Sequence, residues 1–566
     1  MTRRTVNTVI TFTDPDAAAD PLSTEFNIST HGYKSGTAPY YYAPSRLKSQ
    51  VTIEKSIGVL YWGTESDVTF GNIDIDISDG GVDEINGNQV RWVEWAKENL
   101  NPQVVISVEQ TDGTLLQLAT ADGEGVYFPD DSTIRIKLRA KHARKLDQYI
   151  NDYIPADSTY DVEIQGQPVP TLLGAGTPEP PGYDPATFEP RNQFKTLLVD
   201  ETIPRYMVTY LGGDLVSGSP ADYFVMDRGA TLYEGDSPGF TLWENGFDLT
   251  DNPDGEITFT WIGDQGGGVE DPLETGELLQ GPFRICRWAV DRADIDTGTF
   301  FPSETDFPLL LPTGIDDDQG PTLSYVGEVS ARQVLNDCVL NLSGYWYVNE
   351  FGDFVFGRFT APEDVTPSFS FTDVDMIGDI SVQVDLAPGL SSNMEYAYSP
   401  GSIDINNLAA AITSQGRRKR LSEDWLLRQT TATIPDVYET ARGNPPMKLY
   451  ICGLFDIRVQ DELDRRWEDF YSGIRRFYRW SLPLRGDYTL PDLGDVCTIQ
   501  SEKAELLTFG ALPLVINRIR YDLGAGLIHF EGWGGETEPP SVPEAVTMLG
   551  ATADGQNAID LDWTNP

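Results

Sequence analysis

Five residues of this chain, Gly235-Asp236-Ser237-Pro238-Gly239, have the spelling of a nucleophile elbow, the strained turn that lifts a catalytic serine between a strand and a helix. The mechanics fail at once. The residue after the serine should lend its backbone N–H to an oxyanion hole, and Pro238 has no N–H to lend. A helix should follow, yet Phe240-Thr241-Leu242-Trp243 alternates as a strand does. Ser237 is therefore expected in a loop without a hydrolytic role. Asp74, Asp76 and Ser78 match the first ligand positions of a calcium loop, but the sixth position, which needs glycine for a sharp turn, is Asp79. Ile73, Ile75 and Ile77 alternate with these residues, which puts the acids on the wet face of a half-buried strand. Asp316-Asp317-Asp318 is a candidate for a divalent cation, with a solvated loop as the simpler reading.

The other reactive residue types are scattered. His31, His142 and His529 stand alone, and no HExxH or His/Cys cluster exists to build an ordinary zinc site. No pair among the 88 acidic residues stands out as the two carboxylates of a glycosidase. Cys286, Cys338, Cys452 and Cys497 are far apart, lack any CxxC spacing and sit among apolar neighbours, so they read as small buried hydrophobes. No catalytic residue, cofactor-binding residue or metal site is expected, and the protein reads as a non-enzyme.

Charge narrows the partners. Forty basic residues against 88 acidic ones give a formal charge of −48. Such a surface repels nucleic acid and anionic membranes at long range. The plain reading is solubility; a sharper one is an acidic inner wall past which DNA slides without sticking. Two basic patches break the pattern. One comprises Arg135, Lys137, Arg139, Lys141, His142, Arg144 and Lys145, and the other is Arg417-Arg418-Lys419-Arg420. Each is either an exposed strand face or a docking point for an acidic copy or neighbour.

The elements that must position these residues are mostly strands. A chain of 566 residues exceeds one core and should divide into roughly three to five domains. Hydrophobic content of 40% and aromatic content of 11% favour packed domains over disorder. Val51-Thr52-Ile53-Glu54, Val68-Thr69-Phe70, Ile73 to Ile77 and Ile134 to Arg139 alternate with period two. Turns are expected at Ser78–Gly81, Asn86–Asn88, Thr111–Gly113 and Ala121–Gly123. Residues 1–155 thus read as an antiparallel barrel or sandwich. Residues 156–275 form a second β-rich domain carrying a Pro-rich arm and turns at Asp227–Gly229 and Asn252–Gly255. Residues 276–365 form a small α/β domain, with helices opening at Pro282 and spanning about 329–342, a cap at Gly344, and a hairpin of Tyr345–Val348 with Phe354–Phe356. Residues 366–535 return to β structure around one long helix bearing Phe455, Val459, Leu463, Trp467 and Phe470. Residues 536–566 form a linker and then resemble the first two strands of a fibronectin type III sandwich, a fold of about 90–100 residues. The fold class is mainly β with an α/β insertion, in several domains. Arg3 and Arg4 are followed by too short an apolar run for a signal peptide. No stretch approaches the ~18 apolar residues of a membrane helix. The expectation is a protein made in the cytoplasm and soluble until it assembles.

The order of segments resembles the baseplate hub or tail-tip attachment proteins of long non-contractile phage tails and of gene transfer agents. The motifs are a Gly-Asn-Ile strand before an Asp-Gly turn (Gly71 to Gly81), then Leu198-Val199-Asp200, the Tyr206 strand and Asp227-Arg228-Gly229. A helix then runs into a Gly-Trp hairpin, Ala331 to Arg358, with Gly344-Tyr345-Trp346 and Gly357-Arg358. Last come the helix Asp456–Tyr471, the strand Arg475–Trp480 and Leu493-Gly494-Asp495-Val496. The likeness covers roughly residues 20–535, and the Pro-rich arm from Gly174 to Pro190 departs from it. The resemblance implies a homotrimer at the virion tail tip that closes the tube and opens for DNA. It also implies contacts with a distal tail or tail tube protein, the tape measure protein, tail fibres or receptor-binding proteins, and the host surface. Two rival functions are a host-glycan adhesin, using Tyr40-Tyr41-Tyr42 or Tyr345-Trp346-Tyr347 as an aromatic groove, and a tail-borne cell-wall hydrolase.

Overall fold

The computed structural model describes residues 6–13, 26–34, 42–48, 51–58, 67–85, 88–151, 163–169, 281–308, 327–339, 342–383, 475–501 and 511–535, with shorter pieces between and after them. The protein is mainly β, with several antiparallel sheets, few helices and more than one domain.

Period-two patterning builds the first sheet. Six strands lie in the order Phe26–Ser29, Thr8–Thr13, Gln103–Glu109, Leu115–Asp130, Thr133–Ala140 and Ile73–Asp76, all antiparallel. The inward set includes Ile10, Phe12, Val104, Ile106, Ile134, Ile136, Ile73 and Ile75, all buried. One expectation fails here. Ala121–Gly123 is not a turn: it lies inside the long strand Leu115–Asp130, whose register slips between Gly123 and Gly125. Asp-Gly pairs serve bulges as well as turns, because both need an unpaired residue and a bend. The sheet also carries a short helix that the alternation does not announce, Trp92–Glu98, which burial of Trp92, Trp95 and Ala96 at i, i+3 and i+4 holds against Phe12.

The helix–hairpin unit follows the sequence closely. The helix Gly281–Arg292 buries Ile285, Trp288 and Ala289, and the helix Ala331–Val339 buries Val334, Leu335, Cys338 and Val339. The hairpin pairs Gly344–Val348 with Phe354–Arg358. The left-handed residue after the second helix is Ser343, at φ 61°, while Gly344 already begins the strand. The expected cap is thus displaced by one residue, and a Cβ on Gly344 would lie 2.8 Å from Val339 Cγ1. Cys286, Cys338 and Cys497 are buried free thiols, and burial pushes the Cys286 thiol up.

The last large sheet runs Phe369–Thr372, Val496–Gln500, Leu512–Asp522, Leu527–Gly534, Arg476–Pro483 and Ser381–Gln383. It also receives a strand from the far end of the chain. Thr52–Ser56 pairs with the second half of Leu512–Asp522, and Asp67–Phe70 pairs with Thr52–Ser56. The chain then changes sheets within two residues, since Ile73–Asp76 pairs with Thr133–Ala140 in the first sheet. Gly71 sits at the crossing, where its N–H donates to the Thr52 carbonyl at 2.8 Å and a Cβ would lie 3.0 Å from Thr52 Oγ1. The run that reads as one alternating stretch from Val68 to Ile77 is therefore two strands serving two sheets.

One hydrophobic cluster extends from Ile10 and Trp92 through Trp288 and Val334 to Ile519 and Trp533, so both sheets and the helix–hairpin unit share a core. Strands between Phe194 and Trp261 form two four-stranded antiparallel sheets, with a small separate cluster of Ile154, Val169, Val199 and Met207. Leu549–Ala553 pairs antiparallel with Ile559–Trp563. Several expectations lie outside the described residues: Gly235–Gly239, Asn252–Gly255, Asp316–Asp318, Arg417–Arg420, Cys452, the arm from Gly174 to Pro190 and most of the helix at 456–471, of which residues 465–466 and 469–470 are helical.

Candidate functional site

The most unusual chemistry is a charged joint inside the shared core. Alternation in Thr52–Ser56 points Ile53 and Lys55 inward. Lys55 is 1% exposed. Its ammonium donates to both oxygens of Glu350 at 2.9 Å and to Asp492 Oδ1 at 2.7 Å. Glu350 stands in the hairpin turn of the helix–hairpin unit, and Asp492 precedes the strand Val496–Gln500. The Glu350 carbonyl also accepts from the Thr120 N–H of the first sheet at 2.5 Å. One lysine thus ties three distant parts of the chain.

Burial alone would push the Lys55 pKa down, but its anionic surroundings outweigh that and hold it above the ordinary lysine value. Tyr521 also borders the site; burial keeps its phenol neutral at pH 7, so the two carboxylates hold the charge. A lysine that is charged and saturated by carboxylates is the reverse of the desolvated free amine that Schiff-base or general-base chemistry requires. The joint is structural. Tyr347 Oη, pushed up by burial, lies beside it without a hydrogen bond of good geometry. Tyr345 reaches from the hairpin to Gly494, where a Cβ would fall 1.7 Å from Tyr345 Oη and φ is +85°. Arg475, fully buried at its side chain, pairs with Glu363 and lies over Trp533 at 5.1 Å. Arg466 donates to the carbonyls of Leu310 at 2.7 Å and Leu342 at 3.4 Å.

Two open grooves lie on the outer surface. One, about 500 Å³, runs between Asp67–Phe70 and Thr133–Ala140, with Lys137, Arg139 and Arg332 on its walls. Its cations are all matched: Lys137 with Glu124 at 2.5 Å, Arg139 with Glu124 at 3.5 Å and with Asp147, and Arg332 with Asp147 at 2.6 Å. The other, about 480 Å³, lies on the outer face of the large sheet, with Arg479, Arg518, Arg520 and His529 on its floor. Arg479 pairs with Glu531 and Arg518 with Glu54, while His529 Nδ1 and Ser481 Oγ are 2.7 Å apart. Arg520 makes no hydrogen bond or ion pair among the described residues.

The residues singled out from sequence are now placed. Asp74 is paired with Arg135 at 2.5 Å, Asp76 lies 3.5 Å from Lys48, and Asp79 pairs with Arg46, so these acids are not gathered around a cation site. Among the described residues no cluster of three metal-ligating side chains exists. The first basic patch is largely neutralised within the chain, through Asp74, Glu124, Asp147 and, for Lys145, Asp294 at 3.0 Å. His142 is half-buried against Phe300, and burial, Lys141 and Lys145 push its pKa down to about 4. His31 is exposed. Tyr345, Trp346 and Tyr347 are core residues, which removes them as an exposed glycan groove; the side chains of Tyr40–Tyr42 lie outside the description. Sequence reasoning missed Lys55. Its signal was a lysine in phase with Val51 and Ile53 on the apolar side of an alternating strand.

No family profile matches the sequence, and no curated protein does. Among solved structures, a 43 kDa tail protein of prophage MuSo2 from Shewanella oneidensis matches over 88% of this chain and 97% of its own, with 10% identity and a TM-score of 0.37. A tail protein from Neisseria meningitidis matches over 86% and 94%, with 7% identity and a TM-score of 0.34. A chain of the virion of a native gene transfer agent matches over 70% and 93%, with 13% identity and a TM-score of 0.36. At TM-scores below 0.5 these likenesses carry no weight for the protein's role.

Proposed function

We propose that the protein is the structural hub of a phage-type tail tip, closing the tail tube and opening for DNA. One observation carries the reading. Several motifs that resemble those of tail hubs, hundreds of residues apart in the chain, stand where the two large sheets and the helix–hairpin unit meet. Gly71 is the sheet crossing, Tyr345 from the Gly-Tyr-Trp hairpin packs on Gly357 and on Gly494 of the Leu-Gly-Asp-Val turn, and Arg475 opens the Arg/Tyr strand. These residues hold two sheets and a helix–hairpin unit as one piece, as a plug that bears mechanical load requires. The buried Lys55 joint has the same logic.

In this reading three copies form a ring beneath the tube, with a distal tail or tube protein above, the tape measure end within, and fibres or receptor-binding proteins below. The strands at 549–563 begin a fibronectin-like extension toward the host surface. The lumen is net acidic, because phosphates at one charge per ~1.7 Å of duplex would be trapped by a basic wall. The test is assembly without this chain. The expected product is a particle with an unsealed or aborted tail that delivers no DNA; sealed, infective or gene-transferring particles lacking the protein would refute the reading.

A further inference from the structure

The Lys55 joint holds one carboxylate more than a neutral ion pair needs. Glu350 alone, buried and gripping the ammonium by both oxygens at 2.9 Å, would balance the charge. Asp492 adds a third contact at 2.7 Å, across 437 residues of chain, and leaves a negative charge in excess. Excess charge at a buried site is unfavourable, so two carboxylates are a poor way merely to pin three segments. They are what a condensation requires: one carboxyl to be attacked and one to carry protons.

The two acids differ in the way those tasks demand. Asp492 Oδ1 accepts from Lys55 and also from the Leu493 N–H at 2.7 Å, so a donor already faces the oxygen on which charge would develop. The Asp492 side chain is 35% exposed against 8% for Glu350, so an oxygen leaving Asp492 has a way out to solvent. Glu350, shut in, is placed to pass protons. Tyr347 and Tyr521, 1% and 2% exposed, wall the site and keep bulk water from reversing the reaction.

We propose that Lys55 and Asp492 join covalently, as an amide between Nζ and Cγ formed by the folded chain itself, with Glu350 as the proton carrier. The ion pair is the reactant state. Its ammonium is no nucleophile until Glu350 takes one proton, a transfer that turns two buried charges into two neutral groups. The Nζ lone pair then forms the bond to Cγ, and Oδ1 carries the negative charge against the Leu493 N–H. Nζ gives up a second proton, Glu350 delivers both protons to Oδ2, and the Cγ–Oδ2 bond breaks with its electron pair leaving in water. Ammonium plus carboxylate become amide plus water. Glu350 ends as it began, and no oxidant or co-reactant is needed. Well-oriented groups held in contact react as if at about 10⁵–10⁸ M, which brings a slow condensation within reach of a folded core. The product ties the strand Thr52–Ser56 to the turn before Val496–Gln500 against forces that would pull an ion pair apart. The bond would form whether or not the chain belongs to a tail.

The experiment is the intact mass of the full chain, purified, shown to unfold cooperatively and then denatured. The parent should be lighter than its sequence by one water. A protease digest should contain one branched peptide that joins the segment around Lys55 to the segment around Asp492. Lys55→Arg and Asp492→Ala should show the full mass of their own sequences. Glu350→Gln should link about 10²–10⁴-fold more slowly, the usual share of a positioned proton carrier. A parent at the full mass of its sequence overturns the proposal even if every variant misfolds. A water lost without the branched peptide, as when a pair such as Asp79-Gly80 closes to a cyclic imide, overturns it equally. So does a Glu350→Gln chain that links as fast as the parent.

Discussion

The two grooves differ by about 20 Å³ in volume, ≈ 500 against ≈ 480 Å³, and each carries three cationic side chains. In the groove beside Thr133–Ala140 all three cations are matched, by two shared acids, Glu124 and Asp147. On the outer face of the large sheet, Arg479 and Arg518 are matched, and Arg520 makes no ion pair among the described residues. A strand that looks strongly basic as text is thus electrically closed, and a scattered arginine that no patch would flag is open. Count and spacing do not separate the two. Neither does cross-strand register alone, since Glu54 stands opposite Arg520 yet pairs with Arg518; the direction each side chain takes decides.

The comparison is broken most violently by moving inward, to the cation that is matched and also buried. Lys55→Met leaves Glu350 without a counter-ion in the core, and Asp492 without one at its margin, and should cost about 3–5 kcal/mol. Chemical denaturation reads the loss, and adding Glu350→Gln should restore part of it; independent effects would mean that the joint is not a unit. Gly494→Ala should cost about 2–4 kcal/mol, from a left-handed φ and a collision with Tyr345 Oη. Tyr345→Phe removes the colliding atom and should recover some of that loss in the double variant.

A smaller effect sharpens the comparison at the edge of the matched strand. His142 stays neutral in the folded protein down to about pH 4, whereas an unfolded histidine takes up its proton near 6.5. Between those values the unfolded state binds more protons, so stability should fall as pH drops from 7 toward 5. His142→Asn suits the φ of +66° and should flatten that part of the profile without lowering the midpoint at pH 7. An unchanged slope would assign the pH dependence elsewhere. Smallest of all, Lys137→Ala should leave the unfolding midpoint where it is, because its pair with Glu124 is solvent-exposed.

The legible part of the fold was what local periodicity encodes. Helices at Gly281–Arg292 and Ala331–Val339, the hairpin after Gly344, and strands such as Thr133–Ala140 follow from spacing alone. What stayed hidden is long-range. Nothing in Val51–Ser56 announces a partner more than 450 residues away, yet Ile53 pairs with Tyr521. Trp92–Glu98 was lost because seven residues give too little helical period to stand out among strands. Ala121–Gly123 was misread because composition marks an irregularity without saying whether it is a turn or a bulge. At the candidate site the glycines Gly71 and Gly494 were visible as motif residues, but their reason, close approach to Thr52 and Tyr345, needed the tertiary fold. Lys55 was readable only as a violation of alternation.

The central claim is that this rigid, doubly sheeted subunit closes a tail as a ring of copies. Averaged images of particles carrying a label on this chain test it most directly. The account predicts three labels around the axis at the distal end of the tail tube. Labels along the tail shaft, on the capsid, or in a single off-axis copy would contradict it.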